Sequence, residues 1–277
     1  MKVAIQGVKA CFHDVAARKY FSNQNFKQVE CATFPILCSE LAKKNADFAV
    51  MAIENSIAGS ILPNYSLLEK NGFKIRGEVF LKIEMALLGL PGQKINDLEV
   101  IQSHPMALFQ CEDFLLKYPK VRLLEGTDTA ESAKNISVNQ LKNHAAIASE
   151  LAAETYNLEV LARGIETDKK NYTRFLVISC SEDFKVNSKA NKASIRFETV
   201  HQPGSLVRVL EVFNQLSLNM TKLQSVPLLG RPYQYSFHVD LEWDSIEQYQ
   251  EAIVLIEKTV VNLIQFGEYE KGAKPAL

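Results

Sequence analysis

Short apolar runs alternate with amphipathic helical segments along the first 180 residues of this 277-residue chain. Strands that are spaced by helices favour parallel sheets with helices packed on both faces. Ligands of open α/β sheets bind beyond the carboxyl ends of the strands, so the polar loops at 7–14, 54–59 and 103–104 are candidate sites. The predicted strands are 3–6, 48–53, 99–103, 121–124, 145–148 and 175–179, and the predicted helices are 36–44, 62–70, 107–118, 130–140 and 150–156.

The pattern changes after a polar stretch at residues 181–191. This composition is typical of an exposed linker, so we predict one domain at 1–180 and a second at 192–277. The second domain has the order of a ferredoxin-like βαββαβ unit with an antiparallel sheet. Its predicted strands are 193–199, 220–226, 233–242 and 261–269, and its predicted helices are 206–216 and 246–259.

Charge and hydropathy exclude several classes of protein. The 31 basic and 32 acidic residues are interspersed, so no basic field is available for nucleic acid or an anionic membrane. No apolar run matches a signal peptide or a membrane span, and we expect a cytoplasmic protein. The odd number of cysteines, without CxxC or Cys/His metal spacing, predicts reduced packing residues, with a single cysteine nucleophile as the alternative. The cysteines are Cys11, Cys31, Cys38, Cys111 and Cys180.

Two polar clusters lie after predicted strands. Residues 54–59 combine a carboxylate, an amide, a hydroxyl and a glycine, which is typical of either a turn with local hydrogen bonds or a binding loop. In the segment 103–111, Pro105 fits the first position of a helix, so His104 or Ser103 is expected to be its N-cap. The free N–H groups of such a helix start suit a carboxylate.

Two further clusters adjoin a helix and a strand. Asp128 and Glu131 have the spacing of a capping box, which explains both acids structurally, although the same helix start also suits an anion. Residues 171–174 place an asparagine, a threonine and an arginine before an apolar strand. They are either the edge of a strand with a solvated arginine or a set of hydrogen-bond donors whose side chains differ in length. No single cluster identifies a function.

Taken together and in order, the clusters resemble prephenate dehydratase. The resemblance covers almost the whole chain, because residues 201–206 are similar to the phenylalanine-binding loop of that family's ACT domain. The motifs are Ile53-Glu54-Asn55-Ser56-x-x-Gly59, Ser103-His104-Pro105-x-Ala107-Leu108-x-Gln110-Cys111, Asp128-Thr129-Ala130-x-Ser132-Ala133, Asn171-x-Thr173-Arg174-Phe175 and His201-Gln202-Pro203-Gly204-Ser205-Leu206.

The resemblance implies decarboxylative dehydration of prephenate to phenylpyruvate, water and CO2 in phenylalanine biosynthesis, with no metal or organic cofactor. It implies a two-lobed α/β catalytic domain, similar to type II periplasmic binding proteins, followed by an ACT regulatory domain. L-phenylalanine is the expected inhibitor, and a homodimer or homotetramer through the ACT domains is the expected assembly. With no room for a chorismate mutase ahead of Met1, we expect a monofunctional enzyme.

The family's motifs also imply roles for individual residues. Thr173 is expected to hydrogen-bond the leaving oxygen or relay a proton, and His104 is the candidate proton source because imidazole titrates near neutrality. Arg174 is an anion clamp or a structural partner; strand alternation points it away from Thr173 and favours the second role. The expected substrate-binding residues are Asn55, Ser56, Ser103, Arg174, Phe175 and Thr129, with Glu54 as an organiser, and the expected phenylalanine-binding residues are His201, Pro203, Gly204, Ser205, Leu206, Asn219, Gln224 and Ser225.

The sequence departs from the family's pattern at two places. In the first loop, Ala10 replaces a glycine and His13 replaces a serine; Ala10 is expected to hold a similar turn with negative φ. In the second domain, Glu-Ser-Arg-Pro of the family is Gln-Ser-Val-Pro at 224–227, which removes possible charge-assisted contacts. An ACT domain used only for dimerisation is therefore the alternative to feedback inhibition.

Two other functions remain open from the sequence. An arogenate dehydratase would act on the amino-acid form of the same ring, and the sequence does not separate the keto acid from the amino acid. A non-catalytic amino-acid sensor would hold a ligand in the cleft without turnover. Thr173 and His104 argue against the sensor, since a binding protein needs neither.

Overall fold

The computed structural model describes residues 1–180, 188–228 and 230–274. It divides into two compact units: the first contains Met1–Leu67 and Val79–Leu176 with Lys274, and the second contains Leu68–Glu78 and Val177–Ala273. Most of the predicted linker, residues 181–187, lies outside the described residues. The predicted domain boundaries therefore stay predictions.

The helices and strands are numbered in chain order. The strands are β1 (Lys2–Gln6), β2 (Lys27–Cys31), β3 (Phe48–Asn55), β4 (Gly59–Ser60), β5 (Lys74–Lys82), β6 (Ala86–Gly89), β7 (Val100–Ser103), β8 (Arg122–Glu125), β9 (His144–Ala148), β10 (Glu159–Ala162), β11 (Tyr172–Ser179), β12 (Lys192–Glu198), β13 (Asn219–Pro227), β14 (Tyr235–Glu242) and β15 (Val261–Tyr269). The helices are α1 (Phe12–Tyr20), α2 (Phe34–Ala42), α3 (Leu62–Asn71), α4 (Pro105–Gln110), α5 (Glu112–Leu115), α6 (Thr129–Asn139), α7 (Glu150–Tyr156), α8 (Ser205–Gln215) and α9 (Ile246–Glu257).

The first sheet has the strand order β2-β1-β3-β11-β5, with β4 paired to β3. β1 runs parallel to β2 and β3, and the two-residue β4 folds back antiparallel on the end of β3. The neighbouring strands β3 and β11 carry two of the four polar clusters. The side chains of these clusters can therefore meet at one edge of the sheet.

The second sheet has the order β10-β6-β9-β7-β8. β7 is parallel to β8 and β9, but β6 is antiparallel to both β9 and β10. The prediction of parallel sheets is wrong for β6, because the chain enters this strand from β5 of the first sheet and no βαβ crossover within the second sheet sets its direction. Within the described part of the chain, no helix is long and apolar enough to cross a membrane.

The predicted elements are largely confirmed, with three differences. Helix α1 begins at Phe12, inside the segment expected to be a loop. The predicted helix 107–118 is broken at Cys111, where the backbone N–H of Thr167 binds the carbonyl of Gln110 and interrupts the helical pattern. The sequence patterns missed α1, β2, β4, β5, β6 and β10.

The second unit contains a four-stranded antiparallel sheet of order β13-β14-β12-β15. The order β12-α8-β13-β14-α9-β15 confirms the predicted βαββαβ unit. Ala193, Ile195 and Phe197 alternate along β12 and form one core with buried residues of α8 and α9. Leu229 of the expected 229–231 turn lies outside the described residues.

The opposite face of β12 is polar and also buried. Lys192 is 1% exposed, and its Nζ lies 3.0 Å from a carboxylate oxygen of Glu78 and 3.4 Å from one of Glu242. Both carboxylates are themselves buried. Removal of one member of a buried ion pair leaves the other charge uncompensated in a medium of low dielectric constant.

We therefore expect Lys192→Met to lower the free energy of unfolding by about 3 kcal/mol in urea denaturation followed by circular dichroism. The exposed Lys258 provides the control, because Lys258→Met changes the same side chain without burying a charge. Adding Glu78→Gln to Lys192→Met should recover part of the loss. A loss below about 1 kcal/mol for Lys192→Met alone would contradict the role of the pair.

The loop between β1 and α1 contains a residue in the left-handed region. Ala10 has φ +68°, so the prediction of negative φ is wrong. The backbone overrides the preference of alanine because the Ala10 N–H donates to Asp14 Oδ2 at 2.7 Å and its carbonyl accepts from Ser149 Oγ at 2.8 Å. Left-handed backbone costs an L-residue roughly 1–2 kcal/mol.

Replacement of Ala10 by glycine should relieve this strain. After the larger chain entropy of unfolded glycine and the loss of one buried methyl group are deducted, we expect Ala10→Gly to leave the free energy of unfolding within about 0.5 kcal/mol of the wild type. Ala17→Gly, within α1, also removes a buried methyl group but relieves no strain, and it should lower the free energy of unfolding by about 2 kcal/mol. Equal destabilisation by both substitutions would refute the strain at Ala10.

Candidate active site

A cavity of about 340 Å³ lies within the first unit, where the ends of β1 and β3 and the start of β11 face the starts of α4 and α6. This volume is within the range of small-ligand sites. Its lining among the described residues includes no lysine or arginine. The polar lining residues are Gln6, His13, Asn55, His104, Gln110, Thr127, Asp128, Thr129 and Thr173.

Thr173 lies near the start of β11 and lines this cavity while remaining 8% exposed. Asn55 Nδ2 donates to Thr173 Oγ1 at 2.9 Å. A hydroxyl group has one proton to donate and two lone pairs that accept. Because Asn55 occupies an accepting position, the Thr173 proton is available to an acceptor in the cavity.

A chain of three amides holds Asn55 in place. Asn55 Nδ2 also donates to Asn171 Oδ1 at 2.8 Å, and Asn171 Nδ2 donates to Gln110 Oε1 at 2.9 Å. The side-chain oxygen of Asn55, Oδ1, accepts from two backbone N–H groups of its own loop, each at 2.9 Å. The amide of Asn55 is thus used within the protein, so it positions Thr173 instead of donating to the substrate as predicted.

His104 lines the cavity as the N-cap of α4, with Pro105 at the first helical position, as the sequence predicts. Its Nδ1 accepts from the Met106 N–H at 3.2 Å, so the proton of the neutral ring is on Nε2. A doubly protonated ring would lose this capping bond. The geometry therefore makes the Nε2–H of the neutral ring the donor that His104 offers.

The start of α6 brings an acid to the cavity. Asp128 Oδ1 accepts from the N–H groups of Ala130 at 2.8 Å and Glu131 at 3.0 Å, which confirms the predicted cap. Glu131 completes no capping box, because its carboxylate binds the Thr127 hydroxyl. Burial raises the pKa of Asp128. Its Oδ2 would lie 2.8 Å from a Cβ on Gly7, so this close approach requires glycine.

Among the predicted substrate-binding residues, Phe175 and Thr129 line the cavity and Ser103 does not. Ser103 is fully buried, and its hydroxyl donates to the Ile147 carbonyl at 2.6 Å. Its proton is already used in joining β7 to β9. This contact contradicts the predicted role of Ser103 as a substrate donor.

Three more predicted residues lie outside the cavity lining: Ser56, Arg174 and Glu54. Ser56 Oγ donates to the Lys170 carbonyl at 3.0 Å and accepts from the Tyr172 N–H at 2.9 Å, so it joins two loops. The Arg174 guanidinium is 6.0 Å from the centre of the Phe80 ring. The place of Arg174 outside the lining favours a structural role over an anion clamp, and Glu54 contributes no direct lining.

The cysteines near the cavity are poor nucleophiles. Cys11 and Cys111 are buried, and burial raises the pKa of the Cys111 thiol to about 12 and that of Cys11 further. The thiolate is the reactive form of cysteine, and such values keep it scarce at neutral pH. The alternative of a cysteine nucleophile loses support.

A second cavity, of about 220 Å³, lies in the second unit between the start of α8 and β14. His201, Gly204, Ser205 and Leu206 line it, four of the eight residues predicted to bind phenylalanine. The structure does not bring the other four into this lining. Asn219, Gln224 and Ser225 lie on β13, where Asn219 pairs with Glu242 at the far end of the strand, and Pro203 is exposed.

Sequence reasoning missed the chain of amides that holds Asn55 at the first cavity. Gln110 and Asn171 stand within the motifs of the resemblance, but Asn171 was considered only as one of several donors, and their two amides are the signal that could have identified the chain. Asp128 was explained by its cap alone. His13 stands where the family has serine, and nothing in the sequence indicates that its ring would be buried beside the cavity.

Relatives of known sequence span nearly the whole chain. Arogenate dehydratase/prephenate dehydratase 2, chloroplastic, of Arabidopsis thaliana is 36% identical over 279 residues, which cover 97% of this chain and 72% of that protein. The bifunctional chorismate mutase/prephenate dehydratase of Aquifex aeolicus is 35% identical over 274 residues, covering 98% and 74%.

Solved structures share the fold. The structure described as GqqA, a novel type of quorum quenching acylase, has a TM-score of 0.87 and 28% identity over 98% of both chains. The prephenate dehydratase of Arthrobacter aurescens in complex with L-Phe has a TM-score of 0.86 at 22% identity, covering 98% of this chain and 90% of that one. These likenesses confirm the mixed α/β, periplasmic-binding-protein-like architecture.

A family model described as prephenate dehydratase matches residues 3–183. This match covers the whole of the cavity with Thr173, and the relatives extend it over both units. The chain belongs to the prephenate dehydratase family.

Proposed function

We propose that this protein catalyses the decarboxylative dehydration of prephenate to phenylpyruvate, water and CO2 in L-phenylalanine biosynthesis. The observation that carries the proposal is the Thr173 hydroxyl, which Asn55 holds with its proton available to a cavity of ligand size. Membership of the family supports the class of reaction.

The reaction breaks two bonds of the substrate ring. The electron pair of the bond to the ring carboxylate completes the aromatic ring as CO2 leaves and the ring hydroxyl departs with its own bonding pair. One proton converts the departing hydroxide to water. A hydrogen bond from Thr173 stabilises the charge that develops on the leaving oxygen. The proposed proton source is His104 in its imidazolium form, which gives up one proton to the departing hydroxide and returns to the neutral ring whose Nδ1 caps α4.

The absence of lysine and arginine from the described lining fits this chemistry. Only interactions that strengthen in the transition state accelerate the reaction. A guanidinium bound to the departing carboxylate would stabilise the ground state and oppose the loss of CO2. Neutral donors can orient the substrate without that cost.

Arogenate is the alternative substrate. The Asp128 carboxyl group lines the cavity with one oxygen outside its helix cap, and an ionised carboxylate there suits the ammonium group that arogenate carries. One relative is named as both an arogenate and a prephenate dehydratase.

We extend the proposal to the second unit, which we infer to be an ACT domain that binds L-phenylalanine and inhibits the enzyme. Support comes from the cavity lined by Gly204, Ser205 and Leu206 and from the L-Phe complex of the Arthrobacter aurescens enzyme. Because Asn219, Gln224 and Ser225 lie on β13 and not in this cavity, we propose that a second copy contributes them in a homodimer or homotetramer. We propose that the protein acts in the cytoplasm.

The test is product formation by the purified protein from prephenate and, separately, from arogenate, each with and without L-phenylalanine. We expect phenylpyruvate from prephenate and a rate that falls as phenylalanine rises. Phenylalanine formed from arogenate alone would transfer the assignment to the alternative. Ligand binding without product from either substrate would favour the amino-acid sensor.

The phenylalanine result also tests the second unit. Inhibition with calorimetric binding supports the effector site, and a coupling of about 1–3 kcal/mol between the two cavities would be ordinary. A rate and a heat of mixing that are both unchanged across the titration would leave dimerisation as the role of the ACT domain.

Thr173→Ala removes the proposed donor to the leaving oxygen. We expect kcat for the preferred substrate to fall about 100-fold or more with little change in KM, since one such donor is worth 10²–10³ in kcat. Thr173→Ser keeps the hydroxyl and should retain most of kcat, whereas Thr173→Val keeps the shape and should behave as alanine does. Near-wild-type kcat in the alanine variant would exclude this role.

A further inference from the structure

His13 is a buried imidazole beside the cavity that the proposed mechanism does not use. It is the second residue of α1, is 9% exposed and lines the cavity. Its ring contacts Phe34 and Phe175 edge-on, with ring centres 5.5 and 5.0 Å apart. The aromatic contacts fix the plane of the imidazole.

One nitrogen of this ring is occupied by the backbone. His13 Nε2 accepts from the Ala52 N–H at 3.4 Å. The β1–β3 pairing ends at Val50, so Ala52 lies beyond the reach of β1, and its carbonyl in turn accepts from Asn64 Nδ2 at 2.7 Å. Two side chains thus continue the pairing of β3 past the end of β1.

The other nitrogen is a donor without a protein partner. Because Nε2 accepts, the neutral ring carries its proton on Nδ1. Burial lowers the pKa of His13 to about 3, so the ring is neutral at physiological pH. Nδ1 has no bond within the described residues and is not among their fully enclosed unpaired atoms, so the accessible part of the ring faces the cavity that it lines.

We propose that His13 is a substrate-positioning residue whose Nδ1–H donates a hydrogen bond to the carboxylate that the substrate retains in the product. The inference rests on the proposed function, since prephenate, arogenate and phenylpyruvate all carry such a carboxylate. It assigns a ligand contact to the residue that replaces the family's serine.

A retained carboxylate is the acceptor that fits this donor. The described lining offers no lysine or arginine, so an anion in the cavity depends on neutral donors. A hydrogen bond to an ionised acceptor is stronger than one between neutral groups, and the aromatic contacts of His13 hold its ring in place for such an acceptor. A donor on the departing carboxylate would oppose the loss of CO2, so the retained one is favoured.

Two substitutions separate the roles of the two ring nitrogens. His13→Gln places an amide near the position of Nε2 and keeps an acceptor for the Ala52 N–H, but lacks a donor at Nδ1. His13→Asn places an amide nitrogen near Nδ1 and lacks the acceptor. We expect His13→Gln to keep the unfolding temperature and weaken phenylpyruvate binding by about 10-fold or more, and His13→Asn to bind within about threefold of wild type despite lower stability.

Kinetics with the preferred substrate give an independent readout. Uniform binding of a retained group changes KM and leaves kcat, so His13→Gln should raise KM by a factor similar to its loss of phenylpyruvate affinity. A fall in kcat with unchanged KM would place the bond on a departing group and overturn the inference. Wild-type affinity for phenylpyruvate in His13→Gln would overturn it as well.

Nuclear magnetic resonance of protein labelled with ¹⁵N-histidine tests the contact directly. Phenylpyruvate should shift the protonated Nδ1 resonance of His13, and phenylacetone, in which a methyl group replaces the carboxylate, should not. Equal shifts by both ligands, or no shift by phenylpyruvate, would contradict the carboxylate contact. If the wild type turned over neither prephenate nor arogenate, the proposed function would fail, and this titration would still decide the inference about His13.

Discussion

The hydrogen bond from Asn55 to Thr173 is the interaction on which the rest of the candidate site depends. It needs β3 and β11 to be neighbours in the sheet, because the two residues are 118 positions apart in the chain. The second proton of the Asn55 amide goes to Asn171, which is bonded to Gln110 on α4. The direction of the Thr173 hydroxyl proton is thus set by amide groups from β3, from the residue before β11 and from the end of α4.

Hydrogen bonds between residues far apart in the chain also explain the strained backbone in the loop between β1 and α1. Ala10 keeps a positive φ because its N–H is held by Asp14 and its carbonyl by Ser149. The Tyr156 hydroxyl donates a further hydrogen bond to the Lys9 carbonyl at 2.7 Å. Ser149 and Tyr156, at the two ends of α7, thus hold two consecutive carbonyl groups of the loop. Strained backbone persists where several contacts hold it in place, and here the contacts that hold it are hydrogen bonds beside the cavity.

The sequence predicted the elements with strong periodicity and the polar clusters at their ends, but it missed what depends on the long-range fold. β5 and β6 were missed because charged residues interrupt the apolar pattern of this segment, and the three residues between the strands carry no turn signal that would separate them. Motif matching placed Thr173, His104, Phe175 and Thr129 at the cavity correctly. It placed Ser103 there wrongly, because only the partner strand reveals that the hydroxyl is used by the Ile147 carbonyl. The tautomer of His13 likewise depends on Ala52, 39 residues away.

The balance of charge in the cavity connects these observations to the choice of substrate. Burial makes an ionised Asp128 costly and raises its pKa, while the same burial keeps His13 neutral. An ionised Asp128 would repel the carboxylate of a keto acid and attract the ammonium group of an amino acid. A protonated Asp128 would accept the keto acid and add one more neutral donor. If the proposed function holds, we expect the choice between prephenate and arogenate to depend on the protonation of this one carboxyl group, since no fixed cation in the described lining outweighs it.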